Sequence, residues 1–291
     1  MLVYREVMLY QNRLGKVNKA QSNDALKLNL KKITSLVAQL ERMARYFIEV
    51  SYDGALFGGF QIQSNCETIQ GEVEKVFETF FRTAVPLTGA SRTDAGVHAL
   101  QNFFHFDTDF KIEEKQLYNY NAMLPSSIVI KNMYAVPNEA HARFDATSRS
   151  YIYQLHTQKN PFLEGRSWYY PFPLDRELMQ TATNSLLKYT DFESFSKKKT
   201  QVNTFDCAIT SAHWEETADG FSFNITSNRF LRGMIRGLVG TLLQVGRGQI
   251  SLERWHEIVL AKNEQLVDFS TPAHGLYLSA IKYPNYLKKL G

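Results

Sequence analysis

Gly89-Ala90-Ser91-Arg92-Thr93-Asp94-Ala95-Gly96-Val97-His98-Ala99 is a run of small residues carrying one guanidinium, one carboxylate and one imidazole. Two widely spaced glycines and few bulky side chains predict a loop, entered from a short strand over 85–88 and followed by another over 102–106. The run lacks the Gly-Lys-Ser/Thr of a phosphate-binding loop. Taken alone, Asp94 fits two descriptions: a cap for a turn or a following helix, as aspartate commonly is, or a reactive carboxylate. His98 and His105 have no other convergent ligands, so no metal site is expected, and His98 is expected to be structural within the loop.

Outward from the loop the apolar periodicity alternates between strand and helix. Upstream, Tyr46, Ile48, Val50 and Tyr52 alternate with Phe47, Glu49 and Ser51 as in a strand, which Asp53-Gly54 closes with a turn. Ile69, Val73, Val76, Phe77 and Phe80 mark one face of an amphipathic helix. Downstream a helix is predicted over 116–123, a strand over 150–156 and a helix over 176–188. A hairpin over 205–215 and 220–226 turns at Asp219-Gly220, helices follow over 230–245 and 252–261, and a strand over 276–282 closes the pattern. Strand–helix–strand–strand appears twice, which predicts an α+β chain of two related halves sharing a sheet.

The 291 residues suffice for one large domain or two ordinary ones, and 44% hydrophobic with 21% charged residues is an ordinary globular composition. No stretch approaches the ~20 apolar residues of a membrane span, and the N-terminus lacks the pattern of a secretory signal. A cytoplasmic location without membrane attachment is therefore expected. Cys66 and Cys207 form neither a disulfide framework nor a metal cage. Residues 1–44 read as an extension: eight basic against three acidic residues give +5, with a loose helical pattern over 25–40. The chain's formal charge of +4 leaves −1 for residues 45–291, so a case for nucleic acid rests on patches.

Residues 220–252 contain no Asp or Glu but include Arg229, Arg232, Arg236 and Arg247. At ~100° per residue the first three fall within about 60° on one side of the predicted helix, apart from the stripe of Leu231, Ile235, Leu238 and Leu242. Gly233, Gly237 and Gly240 line a third side, where another backbone can approach. Lys197, Lys198 and Lys199 form a second basic cluster, and Arg143 and Arg149 lie near Tyr151. These are the candidate RNA contacts.

Arg92-Thr93-Asp94-Ala95-Gly96-Val97-His98-Ala99 resembles the active-site signature of the TruA family of tRNA pseudouridine synthases. Five further segments match in the same order: Tyr52-Asp53-Gly54 with Gly59-Phe60-Gln61-Ile62-Gln63; Thr68-Ile69-Gln70-Gly71-Glu72-Val73-Glu74; His141-Ala142-Arg143-Phe144-Asp145-Ala146-Thr147 with Tyr151-Ile152-Tyr153; Phe230-Leu231-Arg232-Gly233-Met234-Ile235-Arg236; and Gly275-Leu276-Tyr277-Leu278. Together they cover about residues 45–283. Phe60 stands where that family more usually has Trp, Ser91 where it usually has Gly, and residues 1–44 lie outside the pattern.

The resemblance implies two ferredoxin-like halves, 45–145 with the reactive loop and 146–291 with the basic helix, sharing a central mostly antiparallel sheet around an active-site cleft. It implies a homodimer that isomerises uridine to pseudouridine in the anticodon stem-loop of tRNA, with no cofactor and no metal. Asp94 is then the catalytic carboxylate and Arg236 its ion-pair partner. Tyr151 contacts the base, Leu276 walls it, and Arg92 holds the flipped nucleotide. Read without the resemblance, Tyr151 is a half-buried strand tyrosine, Leu276 a core leucine and Arg92 a surface arginine. Two rival functions use the same residues: an RNA phosphodiester hydrolase with Asp94 and His98 as acid and base, and a non-catalytic RNA-binding protein.

Overall fold

The computed structural model describes residues 43–197 and 202–290. The extension over 1–42, with its helical pattern, and the candidates Lys198 and Lys199 lie outside the described residues. Residues Arg45–Asp107 and Ile112–Gly291 group as one compact unit.

The first strand, β1 (Ala44–Tyr52), is buried continuously over Tyr46–Val50 rather than on one face, so both sides of the sheet are covered there. That places Glu49 in the interior, where Gln101 Nε2, Asn132 Nδ2 and Tyr134 OH donate to its carboxylate at 3.0, 2.8 and 2.8 Å. Burial pushes this carboxyl up, yet the three donors outweigh it and hold it below the ordinary value. Helix α1 (Ile69–Phe81) starts at Thr68, whose side chain accepts from Gly71 N at 3.2 Å, and ends at Arg82 in the left-handed region. It buries Ile69, Val73, Val76, Phe77 and Phe81; Phe81 takes the core position expected of Phe80, which is half-buried.

Strand β2 is only Thr88–Gly89, because Pro86 cannot donate to a ladder. Strand β3 (His98–Thr108) starts directly after the reactive loop. Helix α2 (Gln116–Met123) leads to β4 (Ile128–Val136), a strand the sequence periodicity did not reveal. In its pairing with β1, Glu49 faces Asn132 and Val50 faces Ile130, so Lys131 is an extra residue. The bulge carries the buried set from Ile128 and Ile130 to Met133 and spoils the alternation.

The later elements are β5 (Ser148–His156), β6 (Trp168–Tyr169), α3 (Arg176–Ser185), β7 (Ile209–Glu216), β8 (Gly220–Ser227), α4 (Met234–Gly246), α5 (Leu252–Leu260), β9 (Leu276–Lys282) and β10 (Lys288–Lys289). Among the described residues the strands form one sheet in the order β10-β4-β1-β3-β9-β5-β8-β7, with β2 on β3 and β6 on β5. The pairings are mostly antiparallel; β3 runs parallel to β9, as β5 does to β6. The class is mixed α/β with a central, mostly antiparallel sheet.

Helix α4 corrects one expectation. It begins at Met234, not 230, because Gly233 sits at φ 76°, where a right-handed helix cannot pass. Arg229 and Arg232 therefore lie on the segment leading into the helix and share no helical face with Arg236. Of the three glycines expected to admit another backbone only Gly240 does so, where a Cβ would lie 2.4 Å from Asp268 O; Gly237 meets the side chains of Phe269 and Val267, and Gly233 precedes the helix.

Candidate active site

The loop between β2 and β3 is held at Ala90, Ser91 and Thr93. Ala90 N donates to Phe103 O at 2.8 Å, and Phe60 N donates to Thr93 O at 3.1 Å. Asn102 Nδ2 donates to Ser91 O at 2.9 Å and to Tyr52 OH at 3.2 Å, and that hydroxyl lies 2.8 Å from Thr93 Oγ1. Ser91 and Thr93 are buried by these anchors, while Arg92 and Asp94, which alternate with them, project to solvent. Val97 N returns to Asp94 O at 3.1 Å, and Gly96 at φ 76° makes the turn possible. Among the described residues the Asp94 carboxylate accepts no hydrogen bond, so it caps neither a turn nor a helix here.

A cavity of about 1340 Å³ opens on this loop. Arg92, Asp94, Tyr151, Leu276 and Arg236 all line it, as do Arg143, Arg149, Arg229 and Arg232. Residues some 180 positions apart in the chain thus meet on one surface. Lys197 stands aside from that lining: its Nζ lies 5.3 Å from the centre of the Phe269 ring, and its backbone N donates to Arg232 O at 3.0 Å.

Tyr151 sits on β5, 8% exposed, edge-on to Phe230 with ring centres 5.2 Å apart. Burial, opposed by Arg149 and reinforced by the Asp94 charge, pushes its phenol up to about 12. At neutral pH it is a protonated hydroxyl. Leu276 opens β9, 7% exposed, opposite Tyr153 in the ladder, and puts an apolar side chain into the same space.

Arg236 is placed differently from the expectation. Its Nε donates to Thr271 O at 2.6 Å, Thr271 Oγ1 returns a bond to Arg236 O at 2.9 Å, and among the described residues it makes no ion pair with Asp94. A backbone carbonyl, not the carboxylate, seats the guanidinium. Arg149 is turned inward as well. Its Nε donates to Ser91 Oγ at 2.8 Å, Nη1 to Asn228 O at 3.1 Å, and Nη2 to Ala90 O at 3.3 Å and Arg143 O at 2.8 Å. All three nitrogens work inside the protein, which leaves little of this side chain for a phosphate, and Ser91 supplies the hydroxyl that a glycine would lack.

Sequence reasoning missed Asn102 and Tyr52 as the loop's supports. The legible signal was a lone amide in the apolar run Asn102-Phe103-Phe104, since a buried polar side chain has to be matched by partners. His98 is structural, as expected. It is 2% exposed, stacked on Tyr277 at 4.6 Å; Gly54 N donates to its Nδ1 at 3.1 Å, and its Nε2 lies 3.1 Å from the carbonyls of Gly165 and His274. Both nitrogens are engaged and the ring does not line the cavity, so it is no acid–base partner for Asp94.

A sequence model of the tRNA pseudouridine synthase family matches residues 185–284. Over longer stretches the chain is 42% identical across 247 residues to a tRNA pseudouridine synthase A of Parabacteroides distasonis, covering 84% of this chain and 98% of the relative. The protein of the same name from Porphyromonas gingivalis is 43% identical over 250 residues, 84% of this chain and 99% of the relative. That of Bacillus licheniformis is 38% identical over 241 residues, 81% and 98% respectively. With likeness of this extent running through both the reactive loop and the walls of its cavity, the chain belongs to the tRNA pseudouridine synthase A family.

Proposed function

We propose that the chain isomerises uridine to pseudouridine in tRNA and that Asp94 is its catalytic carboxylate. The observation that carries this is the exposed carboxylate of Asp94 on a loop anchored at Ser91, Thr93 and Val97, facing a cavity walled by Tyr151 and Leu276. The reaction breaks the N1–C1′ bond of uridine and joins C5 to C1′, and the C5 proton leaves for N1 and solvent. Atoms and electrons balance without donor or oxidant, so no cofactor and no metal is invoked. Asp94 attacks the nucleotide or takes a proton from the sugar, and either role requires the ionised form. Tyr151 lies against the base with a hydroxyl that can donate, Leu276 closes the apolar side, and Arg92 holds the extruded nucleotide. Arg236, seated on Thr271, supplies positive charge to the cavity and balances Asp94 once RNA excludes water.

The fold is read as two ferredoxin-like halves, 45–145 and 146–291, with the cleft between them and residues 1–44 as an extension. Support comes from the strand order, since β4-β1-β3-β2 and β9-β5-β8-β7 each follow the fourth-first-third-second order of such a unit. By family resemblance the protein acts as a homodimer on the anticodon stem-loop, with Arg143, Arg229, Arg232 and the lysines at 197–199 on the phosphates. Among the described residues no helix is long and apolar enough to cross a membrane, and a cytoplasmic site of action is proposed with the substrate.

The test is paired. Unmodified tRNA transcripts incubated with the protein should acquire pseudouridine by chemical mapping at unchanged RNA length, and 5-[³H]uridine-labelled tRNA should release tritium. Asp94→Asn should abolish tritium release while filter binding of tRNA stays near wild type. Release at wild-type rate from that variant sinks the assignment, and shortened RNA points to hydrolysis instead.

A further inference from the structure

His141-Ala142-Arg143-Phe144-Asp145 is a tight turn pinned from several directions. Asp145 N donates to His141 O at 3.0 Å, His141 N and Tyr286 OH donate to Asp145 Oδ2 at 2.8 and 2.9 Å, and Arg149 Nη2 donates to Arg143 O at 2.8 Å. The backbone N–H groups of Arg143 and Phe144 both point at His141 Nδ1, at 3.1 and 3.3 Å. That nitrogen is therefore an acceptor and the imidazole is neutral, in keeping with the lowering of its pKa by burial and by Arg45.

On this rigid turn Phe144 remains 73% exposed and lines the cavity that holds Asp94. Its ring centre lies 4.2 Å from that of His141, tilted by 36°, and the Arg143 guanidinium is 5.6 Å from it. A phenyl ring kept largely in water by a backbone this well fixed, with one face on His141, buries little apolar area in the free protein. An aromatic face with an adjacent guanidinium matches the two parts of a nucleotide, base and phosphate. The reaction also creates a need for it: when the target uridine leaves its stack, the neighbouring base loses a partner.

We infer that Phe144 and Arg143 form a nucleotide platform at the rim of the cavity, the phenyl ring stacking on one unpaired base of the RNA and Arg143 meeting that nucleotide's phosphate. The inference rests on the reading of the chain as a tRNA-modifying isomerase. Phe144 is a positioning residue, since it touches a base other than the one that reacts.

The experiment compares Phe144→Ala, Phe144→Leu and Phe144→Trp in the full chain, with an unmodified tRNA transcript as probe. Because the side chain is exposed, all three should melt like the wild type. Phe144→Ala should weaken tRNA binding about ten-fold, within the range of one base–aromatic stack. Phe144→Leu should lose as much, because it keeps apolar area without a π face. Phe144→Trp should restore affinity, and its added indole fluorescence should be quenched by tRNA beyond the change seen in wild type. Affinity within two-fold of wild type for Phe144→Ala overturns the platform, as does rescue by leucine equal to that by tryptophan. If binding follows this pattern but the wild type forms no pseudouridine, the platform stands and the proposed reaction falls. If the wild type converts uridine and Phe144→Ala is unchanged in binding, the reverse holds.

Discussion

Replacing Arg149 by methionine keeps the aliphatic stem and removes four hydrogen bonds that tie the reactive loop to the segments bearing Arg143 and Arg229. Two of the four, to Ser91 Oγ and Ala90 O, are partly buried, and the other two acceptors can rehydrate. A bond from a charged donor contributes about 1.5–3 kcal/mol, and burial of this guanidinium, which already lowers its pKa, offsets part of the sum. The expected loss is about 2–3 kcal/mol, roughly 4–12 °C in Tm for a unit of this size. Ser91→Ala removes one bond and should cost about 1–1.5 kcal/mol. In a double-mutant cycle by urea unfolding, the two changes should couple by about 1 kcal/mol, because they delete the same contact. Arg149→Lys should not rescue, since an ammonium cannot span the four acceptors. Additivity within about 0.3 kcal/mol would show that the 2.8 Å contact between Ser91 and Arg149 contributes nothing, and the picture of a strutted loop would fail.

Two further outcomes are expected. Arg229→Ala and Arg232→Ala should weaken tRNA binding and flatten its salt dependence with little change in the chemical step at saturating RNA, whereas Arg236→Ala should depress the single-turnover rate; three equal effects would reduce Arg236 to another phosphate contact. The pH dependence of stability should carry the mark of His105, whose pKa burial, with Arg45 and His141, lowers to about 4. The unfolded histidine titrates near 6.5 and takes up its proton first, so stability present above that pH declines as pH falls from about 6.5 to 4, and the urea midpoint should drop over that window. His105→Gln should flatten the decline, and an unchanged slope would refute the assignment.

What was legible in the sequence was whatever rests on a local apolar pattern bounded by turn residues. The strand of β1 and the apolar face of α1 as far as Phe77 were readable from their apolar pattern, and β9 was readable despite its extra residue at Ser279 because Gly275 and Pro284 bound the run. The bulge at Lys131 hid β4 by shifting its repeat midway, and Gly233 shortened α4 by a backbone conformation that residue type permits but does not announce. At the site, the loop and its aspartate were readable as a string of residues. The inward commitment of Arg149 and the seat of Arg236 on Thr271 were not, since both depend on acceptors that are backbone carbonyls, and any residue carries one. Ser91 looked like a departure and proves to hold a hydrogen bond.

The place of β9 has a consequence for how the enzyme is born. It lies between β3 and β5, and its parallel contact with β3 is only two residue pairs long, His98 with Tyr277 and Ala99 with Leu278. During synthesis β3 and β5 leave the ribosome well before it, so the middle of the sheet stays an open slot until nearly the whole chain has been made. Insertion of β9 fills the slot and in the same movement delivers Leu276 to the wall facing the loop of Asp94. A nascent chain stopped before that strand carries the reactive aspartate, Tyr151 and Arg236 but lacks the apolar wall of Leu276. The apolar wall facing Asp94 is thus completed only after the loop itself has emerged.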